Sequence, residues 1–97
     1  MSNKTKTIKV VVNRCWGTFM LSKKAYEFLG LEWDGYGFDY IDGDRTDPKL
    51  VACVETLGAE ANGELAQLEI VEVPADVKWT ITSNDGYEFV EEVHRIW

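Results

Sequence analysis

Apolar and polar positions change period along this chain. Ile8-Lys9-Val10-Val11-Val12 is a β-branched, nearly continuous apolar run, the pattern of a strand covered on both faces. It predicts a central strand over Thr7–Asn13, followed by a loop from Arg14 to Met20 in which Gly17 supplies the turn. The period then lengthens. Ser22 reads as an N-cap, Ala25, Phe28 and Leu29 share the inward face of a short helix, and Gly30 stops it. A second helix opens at Asp47-Pro48, with aspartate as cap and proline in the first turn. It carries Leu50, Cys53, Val54 and Leu57 at helical spacing and closes near Gly58.

Between the helices, Glu32 to Asp44 is broken by Asp34-Gly35, Gly37 and Asp42-Gly43. That punctuation predicts a loop with one short strand over Gly37–Ile41. After the Asn62-Gly63 turn the period shortens to two. Ala66, Leu68 and Ile70 alternate with polar residues up to Pro74, and Val77, Trp79 and Ile81 alternate with Lys78, Thr80 and Thr82. Ser83-Asn84-Asp85-Gly86 is a hairpin turn signal, returning Tyr87 to Trp97 as the partner strand. The order β-α-(β)-α-β-β-β predicts an α+β fold. Its form would be a mostly antiparallel sheet of four to five strands with two short helices packed on one face. Trp79 and Phe89 fall on the expected core face, and Trp33 suits either core or loop.

Ninety-seven residues, 45% of them apolar, make a single domain over 1–97 with a frayed polar start at 1–6. No run is long enough to span a membrane and the start lacks a signal-peptide core, so a cytosolic protein is expected. The net charge of −7 argues against direct nucleic-acid binding, which needs a basic face. Leu50 to Val77 holds Glu55, Glu60, Glu64, Glu69, Glu72 and Asp76 without a single Lys or Arg. That stretch is a solvated surface or an acidic face for a basic partner. Two cysteines and one histidine give no metal-ligand spacing, and no cofactor motif is present.

Three arginines all sit at element ends: Arg14 after the first strand, Arg45 before the second helix, and Arg95 near the last residue. A guanidinium matches phosphate or carboxylate oxygens two at a time. An aromatic plane beside it can stack on a base. Arg14, Trp16, Arg45, His94, Arg95 and Trp97 are therefore the candidate ligand-binding set, with Tyr36 and Tyr40 as further rings. The other use of arginines in an acidic chain is internal pairing. Arg45 has Asp42, Asp44 and Asp47 nearby, and Arg14 and Arg95 can tie the sheet ends to acidic loops. A thiol enzyme would take Cys15 as nucleophile and His94 as base, whereas a small buried hydrophobe is the other use of Cys15. Glu91-Glu92 point to opposite faces of a strand and cannot act as a pair. No catalysis is expected.

Four spaced motifs complete the pattern: Asn13-Arg14-Cys15-Trp16-Gly17, Arg45-x-Asp47-Pro48, Leu57-Gly58-x-x-Ala61-Asn62-Gly63 and His94-Arg95-x-Trp97. Together they resemble a family of small proteins encoded by tailed phages and prophages, although Thr18 stands where a second glycine is expected. The resemblance implies a phage origin, and by analogy of size and origin with other small non-enzymatic phage proteins a counter-defence factor in the host cytosol is expected. Its first form is a sponge for a phosphorylated nucleotide immune signal. Its second is an acidic inhibitor of a nucleic-acid-binding host effector, similar to anti-CRISPR proteins. Exposed aromatics at the loop and terminus lead to the expectation of a homodimer.

Overall fold

The computed structural model describes residues 6–41 and 43–93. The elements run β1 (Thr7–Asn13), α1 (Lys23–Leu29), α2 (Pro48–Leu57), a 3-10 turn (Gly58–Ala61), β2 (Leu68–Pro74), β3 (Trp79–Asn84) and β4 (Tyr87–Glu92). The fold is α+β. Its strands form two antiparallel pairs, β1–β2 and β3–β4, and not the single sheet of four to five strands that the sequence suggested.

Both helices are capped as their sequences require. Ser22 Oγ accepts from the Ala25 N–H at 3.0 Å, and Gly30 ends α1 in the left-handed region with φ 72. Asp47 accepts from the Lys49 N–H, with Pro48 in the first turn of α2. Each cap satisfies backbone groups that the helix itself leaves open.

β1 and β2 pair from Thr7↔Pro74 to Asn13↔Leu68, so successive side chains point to opposite faces of this ribbon. Val11, Leu68 and Ile70 face the helices and join Phe19, Leu21, Tyr26, Leu50 and Cys53 in the main core. Val10, Val12, Val71 and Val73 face the other way and meet Trp79, Ile81 and Val90 of the β3–β4 hairpin. The ribbon is the middle of three layers, and Val10, Val11 and Val12 are all fully buried. Burial on both faces is what the unbroken valine run encodes.

The outer edge of β1 keeps the two ribbons from merging. Val11 N–H donates to the Arg45 carbonyl at 2.9 Å, and the Val11 carbonyl accepts from Arg45 Nη1 at 3.2 Å. Asn13 N–H donates to Glu88 Oε1 at 2.8 Å. These are the groups with which a neighbouring strand would pair, so the hairpin packs on β1 by its face.

Three local expectations are corrected. Gly37–Ile41 forms no strand, because the Asp34 carboxylate accepts the N–H groups of Tyr36, Gly37 and Phe38 and winds the segment into a turn. Phe28 is largely exposed on α1, where Ala25 and Tyr26 take the buried positions. Phe89 lies on the outer face of the hairpin, since Glu88 and Val90 turn inward. Trp79 does pack inward, and Trp33 stands edge-on to Tyr26 at 5.0 Å while remaining 40% exposed. The expected frayed start, apart from Lys6, lies outside the described residues.

Candidate functional site

Arg45 is 7% exposed and serves the fold. Its Nε donates to the Tyr40 carbonyl, Nη1 to the Val11 carbonyl and Glu88 Oε1, and Nη2 to the Ile41 carbonyl and Glu88 Oε2. All the donors that a guanidinium possesses are thereby committed. The ion pair with Glu88 is bidentate, at 2.6 and 2.9 Å, and the guanidinium carbon lies 3.7 Å from the centroid of the Phe19 ring. Internal pairing was one of the two sequence readings. The partner is Glu88, forty-three positions away, and not Asp44 or Asp47; Asp42 lies outside the described residues. Asp44 instead accepts from Thr46, and Asp47 from Tyr40 Oη and Lys49.

The Asn13–Gly17 motif ties three segments together. The Asn13 side chain is fully buried, donating to the carbonyls of Cys15 and Gly86 and accepting from the Gln67 N–H. Gly17 passes so close to Leu65 that a Cβ would fall 2.1 Å from its carbonyl oxygen. Gly86, with φ 89, sits against the Gly17 carbonyl in the same way. The Ala61-Asn62-Gly63 motif is built similarly. Ala61 is fully buried, Asn62 Oδ1 accepts from the Leu68 N–H, and the Gly63 N–H donates to the Met20 carbonyl. These two motifs are joints of the fold.

What this joint leaves outside is a ring cluster. Trp16 is 63% exposed and lies 5.1 Å from Tyr87, which lies 5.2 Å from Phe89. The Arg14 guanidinium stands over the Tyr87 ring at 5.8 Å, held by the Glu88 carbonyl at 3.2 Å and the Glu69 carboxylate at 3.5 Å. Of the predicted set, the structure therefore brings Arg14 and Trp16 together and separates Arg45 from them as a buried clamp. His94, Arg95 and Trp97 lie outside the described residues, and with them the Cys15–His94 pairing. Tyr87 and Phe89 were missed as site residues. Their parity opposite to Glu88 is the available signal, and it runs against the expectation that the apolar Phe89 faces inward.

A second exposed group lies beside the Met20–Gly63 contact. Tyr36 and Phe38 stack at 5.6 Å beside a cleft of about 420 Å³ bounded by Met20, Lys23, Trp33, Asn62 and Glu64. Tyr26 beneath it is buried, and its hydroxyl is pushed up to about 12, mainly by that burial. Tyr40 is likewise raised to about 12 by burial and by Asp47. Asp34, whose oxygens accept the turn N–H groups of Gly37 and Tyr36, is held below the usual carboxylate value. Burial pushes the Cys53 thiol up, which suits packing and not nucleophilic chemistry. Among the described residues no group of three or more potential ligands could hold a metal ion, and no helix is long and apolar enough to cross a membrane.

The acids between Leu50 and Val77 do not form one face. Glu55 pairs with Lys9, Glu60 with Lys24 and Glu69 with Arg14, while Glu69 and Glu72 point to opposite sides of β2. No protein-family model, curated protein or solved structure matches the chain.

Proposed function

We propose that this chain is a small non-enzymatic binding protein that works by occupancy, with the Arg14–Trp16–Tyr87–Phe89 face docking on another protein. In the phage setting that its motifs suggest, it acts as a counter-defence inhibitor that covers a nucleic-acid-binding host effector. One observation carries this reading: Tyr87 and Phe89 lie on the outward face of the hairpin, with the Arg14 guanidinium and Trp16, 63% exposed, beside Tyr87. Trp, Tyr and Arg are the side chains that dominate protein–protein contacts. Small ligands favour concave sites that enclose most of their surface, and an outward ribbon face suits a broad partner better.

Nucleotide sequestration is the second reading. It is favoured by the placement of Arg14 beside two rings on which a base can stack. With Arg45 committed to Glu88, Arg14 would carry the phosphate together with residues nearer the chain end.

Thermal unfolding against a panel of cyclic di- and trinucleotides and cyclic ADP-ribose isomers separates the two. A ligand at about 100 times its Kd adds roughly 2.7 kcal/mol, and each kcal/mol moves the midpoint of so small a domain by about 4–8 °C. A flat panel is expected. A shift of about ten degrees or more with one nucleotide, lost in Arg14→Ala, would replace the docking reading with sequestration. The docking reading is checked by phage plating on a defended host expressing the chain. Protection should disappear with the Trp16→Ala/Phe89→Ala double substitution while the protein level stays unchanged.

A further inference from the structure

Resting on the docking reading, we infer that Trp16, Tyr87, Phe89 and Glu91 form a receptor line for arginine side chains on a basic partner. Tyr87, Phe89 and Glu91 alternate on the outer face of β4, and Trp16 packs beside Tyr87. Positions two apart on a strand are separated by about 6.6 Å. A guanidinium lying flat on the Phe89 ring therefore reaches the Glu91 carboxylate. One Glu91 oxygen accepts from Thr82 Oγ1. The other accepts nothing among the described residues.

The molecule twice shows that it stacks guanidinium groups in this way. Arg45 lies on Phe19 and is gripped by Glu88, while Arg14 stands over Tyr87 beside Glu69. Ring plus carboxylate is the combination that binds arginine and discriminates against lysine. A guanidinium is planar, weakly hydrated and able to stack while donating in its own plane.

Charge sets the occupant. Asp85 and Glu91 on the hairpin have no ion-pair partner among the described residues, and Arg14 beside Tyr87 is balanced by Glu69. The whole chain carries −7. A second copy brings the same charge and is repelled, whereas an arginine-rich surface is attracted both by the overall charge and by the local carboxylates. Surfaces of that kind are the ones that bind nucleic-acid phosphates.

The test is isothermal titration of the full chain with a short oligo-arginine peptide and an oligo-lysine peptide of equal length. The arginine peptide should bind more tightly. Trp16→Ala and Phe89→Ala should each weaken it by about two- to fivefold, as for an exposed cation–ring contact. Glu91→Gln should weaken it as well, and more so at low salt. All three positions are exposed, and an unchanged unfolding midpoint confirms that each variant is folded. Equal affinity for the two peptides, or binding indifferent to the ring variants, overturns the inference by reducing the interaction to net charge. Self-association of the free chain that disappears in Trp16→Ala overturns it too, by giving the face a different occupant. If peptide discrimination fails while plating still depends on Trp16 and Phe89, only the arginine inference is lost. If plating survives the double substitution, the docking reading goes with it.

Discussion

Arg45 and Glu88 carry the clearest energetic consequence at the scale of single residues. Both are buried, and the pair fills the edge of β1 that lacks a strand. Removing one partner leaves a buried charge uncompensated, at a cost of about 3–5 kcal/mol. Arg45→Met should lower the free energy of unfolding by that amount in urea denaturation. Adding Glu88→Leu should recover only part of the loss, because the charge is then gone but the Asn13 N–H and the carbonyls held by Arg45 are left without these partners. Tyr26 and Tyr40 give a second prediction. Their hydroxyls ordinarily titrate near 10.0 and here are pushed up to about 12. The folded chain therefore keeps protons that the unfolded chain loses. Their contribution to stability is complete below pH 10 and disappears as pH rises from 10 to about 12. Phenolate absorbance of the native protein should show two tyrosines titrating late, and Tyr26→Phe should remove one.

Scaled up to elements, the hairpin is the separable part. Its contact with β1 rests on a small apolar layer, the Asn13–Gly86 hydrogen bond and the Glu88 carboxylate, whereas the helices share the larger core. Gly86→Ala would set a Cβ against the Gly17 carbonyl in a left-handed backbone. Overpacking there costs about 1–3 kcal/mol. Hydrogen exchange should quicken first at β3 and β4 amides while α2 keeps its protection. Much at this scale was legible in the sequence. The helix caps at Ser22 and Asp47, the hairpin turn at Ser83–Gly86 and the doubly covered β1 all follow from local chemistry. The strand expected over Gly37–Ile41 was not legible, because the aromatic spacing there is overridden by a single carboxylate, Asp34, that gathers three N–H groups.

Viewed whole, the protein separates stability from contact. Among the described residues, each conspicuous motif has a residue inside: Asn13, Arg45 and Ala61 are buried. The outer hairpin face carries Tyr87 and Phe89, with the exposed Trp16 beside Tyr87. Exposed substitutions usually change stability by no more than about 0.5 kcal/mol, so Trp16→Ala and Phe89→Ala should each leave the unfolding midpoint nearly unchanged while weakening the proposed arginine contact by about two- to fivefold. Partner binding should also weaken steeply with salt if the surrounding acids steer it. By itself the sequence determined what depends on neighbours along the chain: the α+β class, the element order apart from the strand expected over Gly37–Ile41, the helix ends and the total charge. Only the tertiary structure decided that Arg45 answers Glu88 across forty-three positions, and that the strands pair as two ribbons. It also decided that Phe89 faces out while Glu88 faces in. Period two says that successive strand residues face opposite ways. It does not say which way is inward. That choice was made by a buried guanidinium needing a carboxylate, an interaction between residues that no local pattern connects.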